Sequence, residues 1–253
     1  MIRVIHKAFD IIELLAREKQ GKKLNEICSR LKMNAGTCAN ILKTMRQRKF
    51  VEQRTKRGAY MLGPMVYYLA RLNTYHGDLV AVSEKPMAEL ASAANETVLI
   101  AILRGHERFV VMQIDGKQSV QVGPGFFEKD TIYRTATGRL LLAYLDEKEI
   151  KSFIAEQGLP GPDWPAANSP SRLEAALGAI RRQGWVCHTT VNDITGIAYP
   201  IRENDRVIAA LGLFLPAFRF KGSHKTKIMK GMSIASAAIS ARLSADFNEV
   251  STP

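Results

Sequence analysis

Two apolar stripes of helical period, with a three-residue turn between their helices, constrain this chain more than any other feature. Leu24, Ile27, Cys28 and Leu31 recur at the spacing of a short helix. Cys38, Ile41, Leu42 and Met45 form the inward stripe of a longer helix running to about Lys49. Lys32-Met33-Asn34 between them forms the turn, and a short helix, a tight turn and a second helix make a helix-turn-helix. An earlier stripe, Val4, Ala8, Ile11, Ile12 and Leu15, predicts a first amphipathic helix that Gly21-Lys22-Lys23 breaks. Downstream, Phe50–Gln53 reads as a strand, Arg54-Thr55-Lys56-Arg57-Gly58 as a basic turn and Ala59–Leu62 as the returning strand. The period-two rule puts Tyr60 and Leu62 on one face of this wing.

The opposite face of the third helix carries Gly36, Thr37, Asn40, Lys43, Thr44 and Gln47. These are small or hydrogen-bonding residues with no carboxylate among them, whereas an ordinary solvated face mixes Glu with Lys. A face meant for the major groove excludes carboxylates, because phosphates line both rims. Gly36 lets the backbone approach DNA closely, Asn40 has the amide geometry to pair with adenine, and Asn34 precedes them at the helix start. Arg54, Lys56 and Arg57 follow directly and suit phosphate or minor-groove contact. Charge placement agrees. Residues 1–62 hold fifteen Lys/Arg against five Asp/Glu, a balance of +10 out of a net +12 for the chain. Such concentration points to a polyanion partner; charge alone leaves DNA and an anionic membrane open.

The stretch from Leu31-Lys32-Met33-Asn34-Ala35-Gly36-Thr37 to Phe50-Val51-Glu52 resembles the winged helix-turn-helix of the IclR family of bacterial transcription regulators. Family members commonly carry a Lys, a Ser, an aromatic or His, and an Arg where this chain has Ala35, Gly36, Ala39 and Asn40. Fewer long polar side chains therefore reach the bases, which shifts affinity toward the wing and Lys43.

Leu62-Gly63-Pro64 closes the wing, and Met65–Asn73 predicts a helical connector whose Tyr67 and Tyr68 are exposed or packed on a partner. The expected domains are 1–62 (winged helix-turn-helix), 63–79 (linker) and 80–253. In the last, a helix over Val80–Ala94 precedes strands at Thr97–Leu103, Arg108–Asp115 and Ser119–Val122, then a Gly123-Pro124-Gly125 loop. Helices follow at Thr135–Leu145, from the capping box at Asp146, and from Ser171 to Gly184. Strands resume at Trp185–Val191, Thr195–Ile201 and Val207–Leu215, and a helix over Lys225–Phe247 closes the chain. Antiparallel hairpins with helices set apart give an α+β domain. Its order resembles the IclR effector domain, a GAF/PAS-like sensor fold, most specifically at Tyr133–Ala143, Gly196–Ile201 and Val207–Gly212.

At Thr135, Ala136, Thr137 and Gly138 a helix start offers unpaired N–H groups and small residues, which suit a carboxylate. The bland alternative is that Gly138 only permits close packing and Thr135 only caps. The resemblance implies a pocket wall at Gly196, Gly212 and Phe214, where the family often carries Cys and Ser. Loss of those polar groups and gain of a ring favour a more apolar or aromatic acid, or a smaller or empty pocket. His188, Asn192, Asp193 and Thr195 are further candidates.

Cys28, Cys38 and Cys187 are an odd, scattered set that forms neither a disulfide framework nor a zinc site, so no metal or cofactor is expected. Cys187 and His188 point to opposite sides of a strand, which argues against a nucleophile–base pair. No signal peptide or membrane span is recognisable, so a cytoplasmic location is expected. The sequence thus predicts a DNA-binding regulator responding to a small-molecule effector, dimeric or tetrameric through its first helix, connector and sensor domain. Two alternatives stand beside it: a C-terminal domain that only oligomerises, and an enzyme with an appended DNA-binding domain.

Overall fold

The structure is a computed structural model that describes residues 2–18, 20–55, 58–72, 76–118 and 132–250, without the side chains of 71–72 and 245–250. The chain divides into two compact units, residues 1–75 and 76–253, at a point between the residues 63 and 79 expected to form the linker.

In the N-terminal unit, α1 (Arg3–Ala16), α2 (Leu24–Leu31) and α3 (Ala35–Gln47) enclose Ile11, Leu15, Ile27, Met33, Cys38, Ile41, Leu42 and Met45. The wing follows as β1 (Val51–Gln53) paired antiparallel with β2 (Tyr60–Leu62), and Tyr60 and Leu62 pack on that core. Lys22 exchanges backbone hydrogen bonds with Tyr60 at 2.9 and 2.7 Å, tying the wing to the α1–α2 turn. Gly21 sits there at φ +70°, and any Cβ would run into the Tyr60 carbonyl. One expectation is corrected: Val4 belongs to the outside of α1, 52% exposed, because the helix turns only Ile11, Leu15 and their neighbours inward. The connector is α4 (Pro64–Leu72).

The C-terminal unit is a three-layer α+β arrangement. Its sheet runs β4 (Glu107–Ile114), β3 (Thr97–Arg104), β7 (Arg206–Pro216), β6 (Ile194–Glu203), β5 (Val186–Thr189), antiparallel throughout. Period-two alternation sends Val98, Ile100, Leu211, Leu213 and Ile197 to one face, under α5 (Gly77–Ala94) and α9 (Gly222–Val250). Leu99, Ala101, Ala198, Ala210 and Phe214 go to the other, under α6 (Ala136–Ala143), α7 (Glu147–Gln157) and α8 (Pro170–Gln183). The capping box of α7 forms as expected, Asp146 and Glu149 exchanging bonds at 2.7 and 2.9 Å. Helix α8 starts earlier than expected: Ser169 caps it and Pro170 takes the first position, where its missing N–H costs nothing. The expected strand at 119–122 and loop at 123–125 lie outside the described residues.

Candidate functional site

Helix α3 is set by its two ends. Lys32 adopts a left-handed conformation (φ 50°) that ends α2 and turns the chain sharply. Asn34 then caps α3, its Oδ1 accepting from the Gly36 N–H at 2.9 Å. The Asn34 oxygen is thus engaged by the helix start. With Cys38, Ile41, Leu42 and Met45 buried, Gly36, Asn40, Lys43, Thr44 and Gln47 stand exposed and Thr37 is half-buried. Thr44 donates its hydroxyl back to the Asn40 carbonyl at 3.1 Å, so it presents lone pairs rather than a donor. Arg46 donates to Gln53 Oε1 at 3.3 Å, and Gln53 donates to the Gly58 carbonyl at 2.9 Å, bracing the wing against α3. Arg54 is exposed at the wing tip; Lys56 and Arg57 lie outside the described residues.

In the C-terminal unit the strand register builds a second site. Across β5, β6 and β7, His188 pairs with Gly196 and Gly196 with Phe214; one step along, Ala198 pairs with Gly212 and Gly212 with Leu99. These rows face α6, whose first turn closes over them. A cavity of about 30 Å³ lies between, lined by Thr135, Ala136, Thr137, His188, Gly196, Gly212 and Phe214, and also by Leu99, Arg108, Arg134, Thr190 and Ile194. That volume holds about one or two waters. Its size has a cause. A methyl at Gly212 would lie 2.6 Å from Thr137 Cγ2, and one at Gly196 would lie 3.2 Å from the Ala136 Cβ. The glycines let the helix settle directly on the strands.

Thr135 caps α6 by accepting from the Gly138 N–H at 3.0 Å. The N–H groups of Ala136 and Thr137 have no partner among the described residues. Arg108 reaches from β4 to within 3.4 Å of Thr137 Oγ1, and Arg134 lies 3.8 Å from Asp163. None of the described lining residues is acidic. Beside the cavity, Arg139 is 7% exposed; burial lowers its pKa to about 10, and it remains charged at neutral pH. Burial, aided by the Arg139 charge, also lowers the His188 pKa, to about 4.

The description of the bacterial transcriptional regulator IclR C-terminal domain matches residues 73–241, and that of the IclR helix-turn-helix domain matches residues 4–55. The chain belongs to the IclR family. It is 24% identical to the HTH-type transcriptional regulator XynR of Escherichia coli (strain K12), over 96% of this chain and 98% of that protein. It is 27% identical to the glycerol operon regulatory protein of Streptomyces coelicolor, over 84% of each. Among solved structures, an IclR homolog complexed with 4-hydroxybenzoate from Microbacterium hydrocarbonoxydans superposes with a TM-score of 0.76 at 20% identity, covering 96% of this chain and 99% of that one. These curated relatives are transcription regulators, and this chain is a DNA-binding transcriptional regulator rather than an enzyme. Among the described residues, no helix is long and apolar enough to cross a membrane, and no group of His, Cys, Asp and Glu could hold a metal ion.

Within this IclR-family frame, the sequence-predicted sensor residues converge except at a few positions. Gly138 is buried away from the cavity, where a Cβ would run into the Ile132 carbonyl; its smallness serves packing. Thr195 bonds Thr189 at 2.9 Å on the opposite face of the sheet, and Asn192 and Asp193 sit exposed in the β5–β6 turn. Sequence reading missed Arg108, Arg134, Thr190 and Arg139. They come from separate segments, and nothing in the local pattern of the sequence brings them together.

Proposed function

We propose that this regulator binds operator DNA as a homodimer or higher oligomer in the cytoplasm and answers to a small carboxylic acid held under the first turn of α6. Base reading falls to the exposed α3 face, Asn40 and Lys43 foremost, with Gly36, Thr37, Thr44 and Gln47 around them. Positioning on phosphates falls to Arg54, Lys56 and Arg57. Apolar residues with no covering in the single chain support self-association: Val4, Ile5 and Phe9 (57% exposed) on α1, Tyr67 (63%) and Tyr68 on α4. A two-fold dimer would present two recognition helices to a palindromic operator.

The observation that carries the effector reading is the cavity's lining: two arginines, two open helix-start N–H groups and no described carboxylate. Phe214 supports an aromatic acid, as does the 4-hydroxybenzoate held by the structural neighbour. A second reading, a C-terminal unit that only oligomerises, draws on the small cavity volume, since ligand pockets usually span about 300–1,000 Å³. One experiment separates them. Footprinting on DNA upstream of the coding sequence is run with and without acetate, benzoate and 4-hydroxybenzoate, beside melting curves of the free protein. The effector reading expects an acid to raise the melting temperature and change the footprint. Protection of DNA with no response to any carboxylic acid supports the oligomerisation reading. Light scattering that gives a monomeric mass at micromolar concentration would remove the dimer.

A further inference from the structure

Arg139 does not line the cavity, yet its guanidinium is fixed with unusual completeness. Nε donates to the Tyr133 carbonyl at 2.6 Å, Nη2 donates to the Asp163 carbonyl at 2.8 Å, and the group stacks on Trp164 at 4.3 Å. The second hydrogen of Nη2 faces His188 Nε2 at 3.2 Å. A guanidinium has five donors and no acceptor, so this contact forms only if Nε2 carries a lone pair. His188 is then neutral, its ring proton on Nδ1. No bond to Nδ1 occurs among the described residues, and His188 lines the cavity.

We infer that Arg139 is a positioning residue that locks His188 as a neutral Nδ1–H donor, giving the cavity a contact for a carboxylate. The inference rests on the proposed carboxylate reading for the identity of the acceptor, but the tautomer itself does not. Geometry supplies the reason. A protonated His188 would set an N–H against an N–H and a cation against a cation at 3.2 Å. The charged and titratable groups around it are Arg139 from α6, Tyr133 and Arg134 from the 132–134 turn, Asp163 from the 161–163 turn, and Arg108 from β4. The one carboxylate in this described set sits beside Arg134. The lowered pKa of His188 agrees with the assignment. An ordinary histidine titrates near 6.5 and would change the charge of the site within the working range of a cell.

The test uses the full chain labelled with 15N-histidine, read by NMR between pH 5 and 8. His188 is expected to stay neutral with a protonated Nδ1 throughout, and acetate is expected to shift its Nδ1 resonance. In Arg139→Met the tautomer should become mixed and the titration should move up from its wild-type position, but by less than the full distance to 6.5, because the ring stays buried. Acetate binding should then strengthen as pH falls from 8 to 5, whereas in wild type it should change little over that range. Arg139→Lys, which keeps a charged donor, should restore the wild-type tautomer. Should Arg139→Met fail to fold, His188→Gln serves: it keeps an N–H donor, so it should hold acetate with no pH dependence, whereas His188→Leu should not hold it. A wild-type His188 that protonates near 6.5, or carries its proton on Nε2, overturns the Arg139–His188 assignment whatever acetate does. A locked Nδ1–H that acetate leaves unmoved overturns instead the carboxylate reading of the cavity, and the donor role with it.

Discussion

The two units of this regulator handle polar residues in opposite ways. In the N-terminal unit the functional side chains stand outside a sealed apolar core, and the fold's task is to aim them. In the C-terminal unit they are turned inward between a helix start and a sheet, and the fold's task is to neutralise and orient them. The outward arrangement tolerates change at each position separately, because exposed side chains share few partners. The inward one is coupled: Thr137, Arg108, Gly212 and Leu99 meet at one spot, so a change at any of them is felt by the rest.

The comparison breaks most readily at Gly138. Gly138→Val forces branched carbons into the Ile132 carbonyl and should destabilise the C-terminal unit by about 3 kcal/mol or more. Calorimetry should show that loss in one transition while the N-terminal unit's transition stays in place. A loss shared equally by both transitions would mean that the units are not energetically separate. On the outward side, Asn40→Ala should cost about 1–3 kcal/mol of DNA affinity at one base position. Lys56→Ala with Arg57→Ala should instead weaken all sequences alike and reduce the salt slope by about two. Binding-site selection on both variants, followed by salt titration, checks the pair; the contrast fails if Asn40→Ala leaves base preference unchanged.

Asn34→Ala removes the cap of α3 and should cost the N-terminal unit about 1 kcal/mol, with a parallel drop in DNA binding. Thermal melts of the full chain measure it. At neutral pH the smallest effect is that of His188, and it grows as pH falls. His188 has a folded pKa of about 4, below the ordinary unfolded value near 6.5, so the unfolded chain takes up a proton first as pH falls. Its contribution to stability is complete above about pH 6.5 and declines toward pH 4. Wild type should therefore lose melting temperature relative to His188→Gln over that window and not above it.

Legibility in the sequence follows the same division. The α3 face could be read directly, since one helix with a period of 3.6 carries all of it, and burial of Cys38, Ile41, Leu42 and Met45 leaves the other side outward. Gly196, Gly212 and Phe214 were legible only through the resemblance to the IclR effector domain. Arg108, Arg134 and Arg139 were not, because their roles arise from how β4, the 132–134 turn and α6 come together. Val4 shows the converse limit: an apolar residue in register with a stripe can still fall beyond the end of the core that the stripe serves. Glu96, buried and held by Arg219 at 2.6 and 2.7 Å, reads as an ordinary surface acid until the contact between residues 123 positions apart is seen.

The two strand glycines bear on how a signal could begin. With nothing but backbone at Gly196 and Gly212, the first turn of α6 rests on the sheet with no spacer. A guest that needs more room than about a pair of waters is expected to displace that turn or the side chains beside it, such as Arg108 and Phe214. Occupancy and displacement become a single event, like a wedge under a door. Where such a displacement is needed, the affinity a titration reports is what remains after it, the apparent Kd being the intrinsic constant divided by the fraction of molecules already open. Weak apparent binding and a large mechanical response are, at such a site, two readings of one balance.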